Sequence, residues 1–213
     1  MKIFLDSANV EEVREAIAWG IVDGVTTNPA SVAAQGDRLI EEILADLVGL
    51  TDGPISAQVV ADSAEEMIEQ GINLAKIAPN IVVKIPAGLE GFQAIRRLSE
   101  LDISTHCTLV FNPVQALLAA KARATFVSPF VGRLDANGQS GMEVVGQIVT
   151  IFDNFGFESE IMVASIKSPM HVIEAAIQGA DACTLPFDLL KGLGDHPLTD
   201  ALKDRFMRDW KKR

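Results

Sequence analysis

The side chain with the most chemistry to offer is a lysine set in a run of branched apolar residues, Ile81-Val82-Val83-Lys84-Ile85-Pro86. Burying an unpaired ammonium costs several kcal/mol or forces it to shed its proton. A neutral amine attacks a carbonyl to form an imine, and a drop of about 3 pKa units costs the protein only ~4 kcal/mol. The structural alternatives are a carboxylate partner for the lysine or a side chain that snorkels out at a strand end. A second apolar run, Ile3-Phe4-Leu5, ends in Asp6. As a carboxylate, Asp6 could take a proton from a substrate hydroxyl while an adduct on Lys84 draws electrons, which is retro-aldol chemistry. An aspartate at such a junction is equally suited to cap a helix starting near Asn9.

Groups like these act only if elements hold them together. Short branched runs predict strands over 3–6, 24–28, 55–59, 81–85, 105–110, 125–130, 160–165 and 182–186. Helix-like stretches lie between them at 9–19, 37–49, 63–78, 89–101, 113–123, 139–155, 169–178 and 187–193. Ser63 with Glu66 reads as a capping box, and Pro113, Pro169 and Pro197 suit a first helical turn, where a missing donor is tolerated. Strict β/α alternation means parallel strands, in an open doubly wound sheet or a closed barrel. The first strand is followed by Asp6-Ser7-Ala8-Asn9 and not by a glycine-rich dinucleotide turn. The expected fold is therefore α/β, a single (β/α)8 TIM barrel over residues 1–213. Residues 197–211 add a C-terminal helix on which Leu198, Leu202, Phe206 and Trp210 recur every four positions. At 213 residues the barrel must have short loops, since about 250 is usual.

Alternate residues of a strand face opposite sides, so one polar residue sets the parity of the rest. Asp6, Thr26 with Asn28, Gln58, Lys84, His106 with Thr108, Ser128 with Phe130, and Ser165 all fall late in their strands. Seven of the eight strands thus contribute to one end, the carboxyl-terminal rim on which barrels build their sites.

At these positions the sequence resembles the transaldolase family. The likeness is carried by Asp6, Gly24-Val25-Thr26-Thr27-Asn28-Pro29, Val82-Val83-Lys84-Ile85-Pro86, Ser128-Pro129-Phe130-Val131-Gly132-Arg133 and Ala164-Ser165, and spans essentially the whole chain. It is nearest to the short subfamily that includes the fructose-6-phosphate aldolases. The resemblance implies that Lys84 is the Schiff-base lysine, Asp6 the acid-base residue and Asn28 a group holding substrate hydroxyls. It further implies that Thr108 and Gln58 position a water, and that Arg133 and Ser165 hold the sugar phosphate, with Lys167 standing where larger members carry arginine. A surface ion pair with Asp135 is the plainer expectation for Arg133.

Three positions depart from the pattern. Gln58 replaces the glutamate of most members, as in the aldolases. Phe130 stands where those aldolases place a tyrosine, and the chain has no tyrosine at all. His106 replaces an asparagine; it can both donate and accept, its ordinary pKa lies near neutrality, and at this parity it is as suited to touch the ligand as to be a satisfied structural group of the barrel. The leading expectation is a transaldolase that moves a dihydroxyacetone unit between sugar phosphates, with a fructose-6-phosphate-type aldolase as the alternative. Rivals of other classes are a non-catalytic sugar-phosphate binder and a metal-dependent aldolase. The latter is disfavoured because His106, His171 and His196 are dispersed.

No cofactor and no metal is expected. A net charge of −11, with basic residues scattered until Lys211-Lys212-Arg213, speaks against nucleic-acid and anionic-membrane partners. The first apolar stretch ends at Asp6, too short for a signal or a membrane span. Cys107 and Cys183 show no disulfide or zinc spacing, which suits a reducing, cytoplasmic setting. The apolar stripe on the last helix, and the subunit rings of short members of the resembled family, imply a homo-oligomer such as a decamer.

Overall fold

The computed structural model describes residues 1–212; Arg213, which ends the basic run, lies outside the described residues. Parallel strands β1 (Lys2–Asp6), β2 (Gly24–Thr26), β3 (Ile55–Gln58), β4 (Ile81–Pro86), β5 (Thr105–Val110), β6 (Phe126–Pro129), β7 (Glu160–Val163) and β8 (Ala182–Leu185) close into a barrel in chain order. Helices α1 (Val10–Ala18), α2 (Pro29–Ala33), α3 (Ile40–Val48), α4 (Ala64–Ala75), α5 (Leu89–Ser99), α6 (Pro113–Lys121), α7 (Val131–Ala136), α8 (Gly141–Phe155), α9 (Pro169–Gln178) and α10 (Phe187–Gly192) follow the strands, and α11 (Pro197–Trp210) extends beyond them. This is the (β/α)8 barrel with a C-terminal helix that the alternation predicts.

Two apolar layers hold it. Outward-facing strand residues such as Leu5, Ile55 and Ile85 pack against Ile43, Leu44, Leu47, Ile95 and Leu98 of the helices, all fully buried. Inside the barrel Phe4, Val82, Phe126, Met162 and Ala182 form a separate floor, with Phe4 and Phe126 edge to face at 5.7 Å. Each buried phenylalanine contributes roughly 1.5–3 kcal/mol. Gly24 makes the room: a Cβ there would stand 2.4 Å from Cε1 of Phe4. Because this floor is apolar, the polar side chains of the same strands collect above it.

Helix starts follow the local chemistry. Asn9 caps α1 by accepting the Glu11 and Glu12 N–H groups, and Pro113, Pro169 and Pro197 begin their helices. Ser63 accepts the Glu66 N–H, but the Glu66 carboxylate takes the Ser63 hydroxyl instead of a backbone donor, so only half of the capping box forms. The helices α2 and α7 were not predicted; five and six residues are too few to show a 3.6-residue period. Their presence shortens the neighbouring strands. Asn28 becomes the cap of α2 and not the end of β2, and Phe130 precedes α7, joined to Ala164 only by an isolated bridge.

No residue of α11 is buried, and Leu198, Leu202 and Phe206 are 67%, 47% and 65% exposed, so this stripe does not pack on its own barrel. Among the described residues no helix is long and apolar enough to cross a membrane.

Candidate active site

In the ladder Gln58 lies opposite Lys84 and Lys84 opposite His106, which sets three polar side chains on one face of the wall above the floor. Lys84 is only 5% exposed. Its Nζ donates to the Thr27 carbonyl at 3.0 Å, and among the described residues no carboxylate pairs with it, so it neither snorkels nor sits in an ion pair there. Burial pushes its pKa below the ordinary lysine range, and the charge of Asp6 partly opposes the drop. The amine is thus held dry and biased towards its nucleophilic form.

Asp6 is not a helix cap, because Asn9 fills that role. Its Oδ1 accepts Asn28 Nδ2 at 3.0 Å and, more weakly, the Thr26 hydroxyl at 3.4 Å. Asn28 is itself fixed: its Oδ1 accepts the Ser31 N–H, and the Ser31 hydroxyl accepts the Asn28 N–H. Thr26 bonds Thr184 of β8 at 2.7 Å, which adds a polar contribution from the one strand expected to give none.

Thr108 shares the inward parity of His106 and is fully buried, yet its hydroxyl has no partner among the described residues. Such a group is available to a water or a substrate atom. Just beyond it Leu109 takes φ +57° and the β5–β6 register shifts between Cys107 and Val110, so the strand end is irregular where this hydroxyl lies. Gln58 ends β3 with its amide unpaired among the described residues. A cavity of about 540 Å3 opens on this side between α2, α3 and α4; Thr27, Asn28 and Gln58 form its inner wall, whereas Lys84 does not line it.

His106 takes the structural one of its two readings. It is fully buried, with Nδ1 bonded to the Ser56 hydroxyl at 2.9 Å and Nε2 to the Ser128 hydroxyl at 2.5 Å. Both nitrogens, and the Ser128 hydroxyl with them, are committed within the wall. Burial, and then the charge of Lys84, hold the imidazole well below its ordinary pKa, so it does not titrate near neutral pH. Its edge meets Phe126, tying it to the floor.

The β6 and β7 side of the same rim carries the remaining candidates. Phe130 is half-buried and meets Phe111 edge-on at 5.9 Å. Ser165 was expected in β7 but lies past its end, at φ +59°, and its carbonyl accepts the Gly132 N–H at 3.1 Å. The left-handed turn, not strand parity, aims its side chain. A Cβ on Gly132 would stand 2.2 Å from the Ser165 oxygen and 2.7 Å from Cγ of Lys167, so the loop after β7 seats directly on α7, the helix that carries Arg133. Arg133 and Lys167 are exposed. Arg133 does not pair with Asp135, which instead contacts His171 at 3.0 Å and accepts the Gly141 N–H at 2.9 Å. The described residues therefore fall into a buried imine-competent cluster and an exposed basic one.

Thr27, Ser56 and Thr184 escaped the reading of the sequence. The parity that turned Gln58 inward applies equally to Ser56; Thr184 lies on the one strand with no parity assigned, and the Thr27 carbonyl had no signal. Cys107 and Cys183 are buried thiols whose pKa burial pushes up to about 12, far from a reactive thiolate. Among the described residues no group of three or more His, Cys, Asp or Glu side chains is placed to hold a metal.

Comparison with known proteins agrees with this geometry. The family model described as "Transaldolase/Fructose-6-phosphate aldolase" matches residues 3–212. A "Probable transaldolase" of Citrifermentans bemidjiense is 52% identical over 212 residues, covering 100% of this chain and 99% of that protein. Proteins of the same description from Thermoplasma volcanium and Aquifex aeolicus are each 51% identical, over 100% of this chain and 96% and 97% of their own lengths. With an apolar-floored barrel, a buried unpaired lysine and an oriented aspartate at its rim, the chain belongs to the transaldolase/fructose-6-phosphate aldolase family.

Proposed function

We propose that this chain is a transaldolase that moves a dihydroxyacetone unit from a ketose phosphate to an aldose phosphate through a Schiff base on Lys84. The observation that carries the proposal is the state of that amine: 5% exposed, unpaired, and lowered in pKa by burial. Neutral Nζ attacks the ketone carbon of the donor, and the resulting carbinolamine takes up one proton from solvent and loses water to leave an iminium. Asp6, held by Asn28, accepts the proton of the hydroxyl on the carbon to be released. The carbon–carbon bond then breaks, an aldehyde departs, and the remaining three carbons stay on Lys84 as an enamine. An incoming aldehyde is attacked by that enamine, and the same steps in reverse free the new ketose. Thr108 and Gln58 orient the water lost and regained at the iminium; the unpartnered hydroxyl of Thr108 supports this role. Arg133, Ser165 and Lys167 bind the phosphate. Phe130 supplies an apolar wall that leaves the enamine waiting for an acceptor.

A second reading, a class I aldolase that releases dihydroxyacetone, is favoured by Gln58, a neutral amide where most transaldolases carry an acid. His106 no longer argues for it, since its ring is engaged by Ser56 and Ser128. Transfer from fructose 6-phosphate to erythrose 4-phosphate, with borohydride fixing the donor on Lys84, is the expected result. Release of free dihydroxyacetone that persists without any acceptor would establish the aldolase instead.

The exposed stripe of α11 supports a homo-oligomer, tested by sedimentation; a monomer of 22.9 kDa is the refuting result. Free buried cysteines support a cytoplasmic location.

A further inference from the structure

The loop after β7 is held to α7 and α8 by a pair of side chains that the catalytic scheme does not use. His171, in the first turn of α9, accepts the Lys167 N–H through Nδ1 at 3.3 Å and meets Oδ2 of Asp135 through Nε2 at 3.0 Å. The other carboxylate oxygen of Asp135 accepts the Gly141 N–H, at the start of α8, at 2.9 Å. His171 is 16% exposed at its side chain and Asp135 39%, so the pair lies at the margin of the surface, not in open solvent. One continuous line of bonds therefore runs from α8, through the helix carrying Arg133, to the backbone of Lys167.

The line fixes a tautomer. Nδ1 faces an N–H donor and must be bare, so the ring proton sits on Nε2, where Asp135 receives it. Asp135 thus does more than attract charge: it keeps Nδ1 available to the loop. On the other side of Lys167, Ser165 is in the left-handed turn with its carbonyl on the Gly132 N–H. The loop is pinned at Ser165 by α7 and at Lys167 by His171.

Resting on the reading that Arg133, Ser165 and Lys167 receive the substrate phosphate, we propose that His171 and Asp135 are positioning residues for that phosphate site. They set the loop's distance from Arg133 and thereby the preference for phosphorylated over unphosphorylated sugars. Neither residue touches the imine, so the chemistry at Lys84 is outside their reach.

The decisive substitution is Asp135→Asn. It is nearly isosteric and keeps an oxygen for the Gly141 N–H, but its amide now donates towards Nε2. The ring must then carry its proton on Nδ1, which faces the Lys167 N–H donor to donor. In the intact protein, kcat and KM are measured with fructose 6-phosphate and erythrose 4-phosphate, and again with the unphosphorylated sugars fructose and erythrose. Inhibition by inorganic phosphate is measured alongside. D135N should raise KM for the phosphorylated donor and weaken phosphate inhibition by about fivefold to tenfold, the worth of one hydrogen bond. kcat and both parameters of the unphosphorylated pair should not change. His171→Asn, whose Oδ1 can replace Nδ1 towards Lys167, should retain more phosphate preference than His171→Gln, which replaces only the donor to Asp135. Wild-type phosphate preference with D135N, H171N and H171Q all indistinguishable from it overturns the proposal. So does an equal loss on both substrate pairs, which marks a merely structural brace. A wild-type enzyme indifferent to phosphate overturns the phosphate-site reading itself, and the positioning role with it.

Discussion

Asn28 donates to Asp6 through Nδ2 at 3.0 Å while the oxygen of the same amide caps α2. The acid proposed to strip a substrate hydroxyl is therefore aimed by a side chain that a helix start locks in place. Asp6 is also the group whose charge works against the burial of Lys84. The two residues are coupled electrostatically without being an ion pair, and the coupling has a sign that experiment can read.

Asp6→Asn keeps the bond from Asn28 but removes the charge. The rate of borohydride-trapped imine formation should rise with pH in the wild type, along a limb set by the lowered pKa of Lys84. Because the Asp6 carboxylate raises that pKa, the limb in D6N should move to lower pH, although cleavage of the donor falls by about 10²- to 10⁴-fold. Lys84→Met should abolish trapping altogether. A limb that moves to higher pH in D6N contradicts the coupling.

Thr108 presents the opposite case, a buried hydroxyl that contributes nothing to the fold. An unsatisfied buried hydroxyl costs about 1–3 kcal/mol, so Thr108→Val, nearly the same in shape, should leave stability unchanged or raise it within that range. Turnover should fall by about two orders of magnitude if the hydroxyl orders the water of imine formation and hydrolysis. Thermal denaturation and steady-state transfer, measured on one preparation, test both halves. A destabilised but fully active T108V would remove Thr108 from the site.

The division between what was legible in the sequence and what was not follows from the range of each signal. Eight apolar runs at regular spacing, and Lys84 and Asp6 inside two of them, report their surroundings within a few residues, and these were readable. Asn28-Pro29 has the same form as Asn112-Pro113, a cap followed by a first-turn proline, so α2 was legible but was absorbed into a strand. Ser165 was placed by strand parity, which a single left-handed residue cancels. His106 stayed open between a structural and a ligand-facing role because its partners, Ser56 and Ser128, lie 50 and 22 residues away, on strands whose mutual placement only barrel closure decides.

His106 carries a stability prediction with a definite direction. Its folded-state pKa is held well below the ordinary value by burial, so the unfolded chain takes up a proton that the native state refuses. Stability should therefore fall as pH drops below about 6.5, by up to about 1.4 kcal/mol per pH unit, until the folded pKa is reached. His106→Asn keeps a polar group at the Nδ1 position, towards Ser56, and cannot be protonated. Denaturant titrations from neutral to acidic pH should show this component of the slope in the wild type and lose it in H106N, with turnover retained. An identical slope in both proteins would mean that His106 is protonated without cost in the native barrel.

On the β6 and β7 side of the rim, position 132 separates the shape of the proposed phosphate site from its charge. Arg133→Ala deletes a guanidinium that has no ion-pair partner among the described residues, so the loops should stay in place. The loss should appear as a rise of about tenfold or more in KM for the phosphorylated donor, the usual worth of a charge-assisted hydrogen bond. Gly132→Ala leaves every charge in place, but its Cβ would fall 2.2 Å from the Ser165 carbonyl oxygen, a backbone atom that can yield only by moving the loop. Overpacking of this kind costs typically about 1–3 kcal/mol, so G132A should melt earlier than R133A and also bind phosphorylated donor more weakly. Both variants should turn over unphosphorylated fructose with erythrose as the wild type does, since Lys84 and Asp6 stand on β4 and β1 and not on this loop. If G132A keeps wild-type KM for fructose 6-phosphate, the contact between α7 and the loop after β7 does not shape the phosphate site, and Arg133 acts there by charge alone.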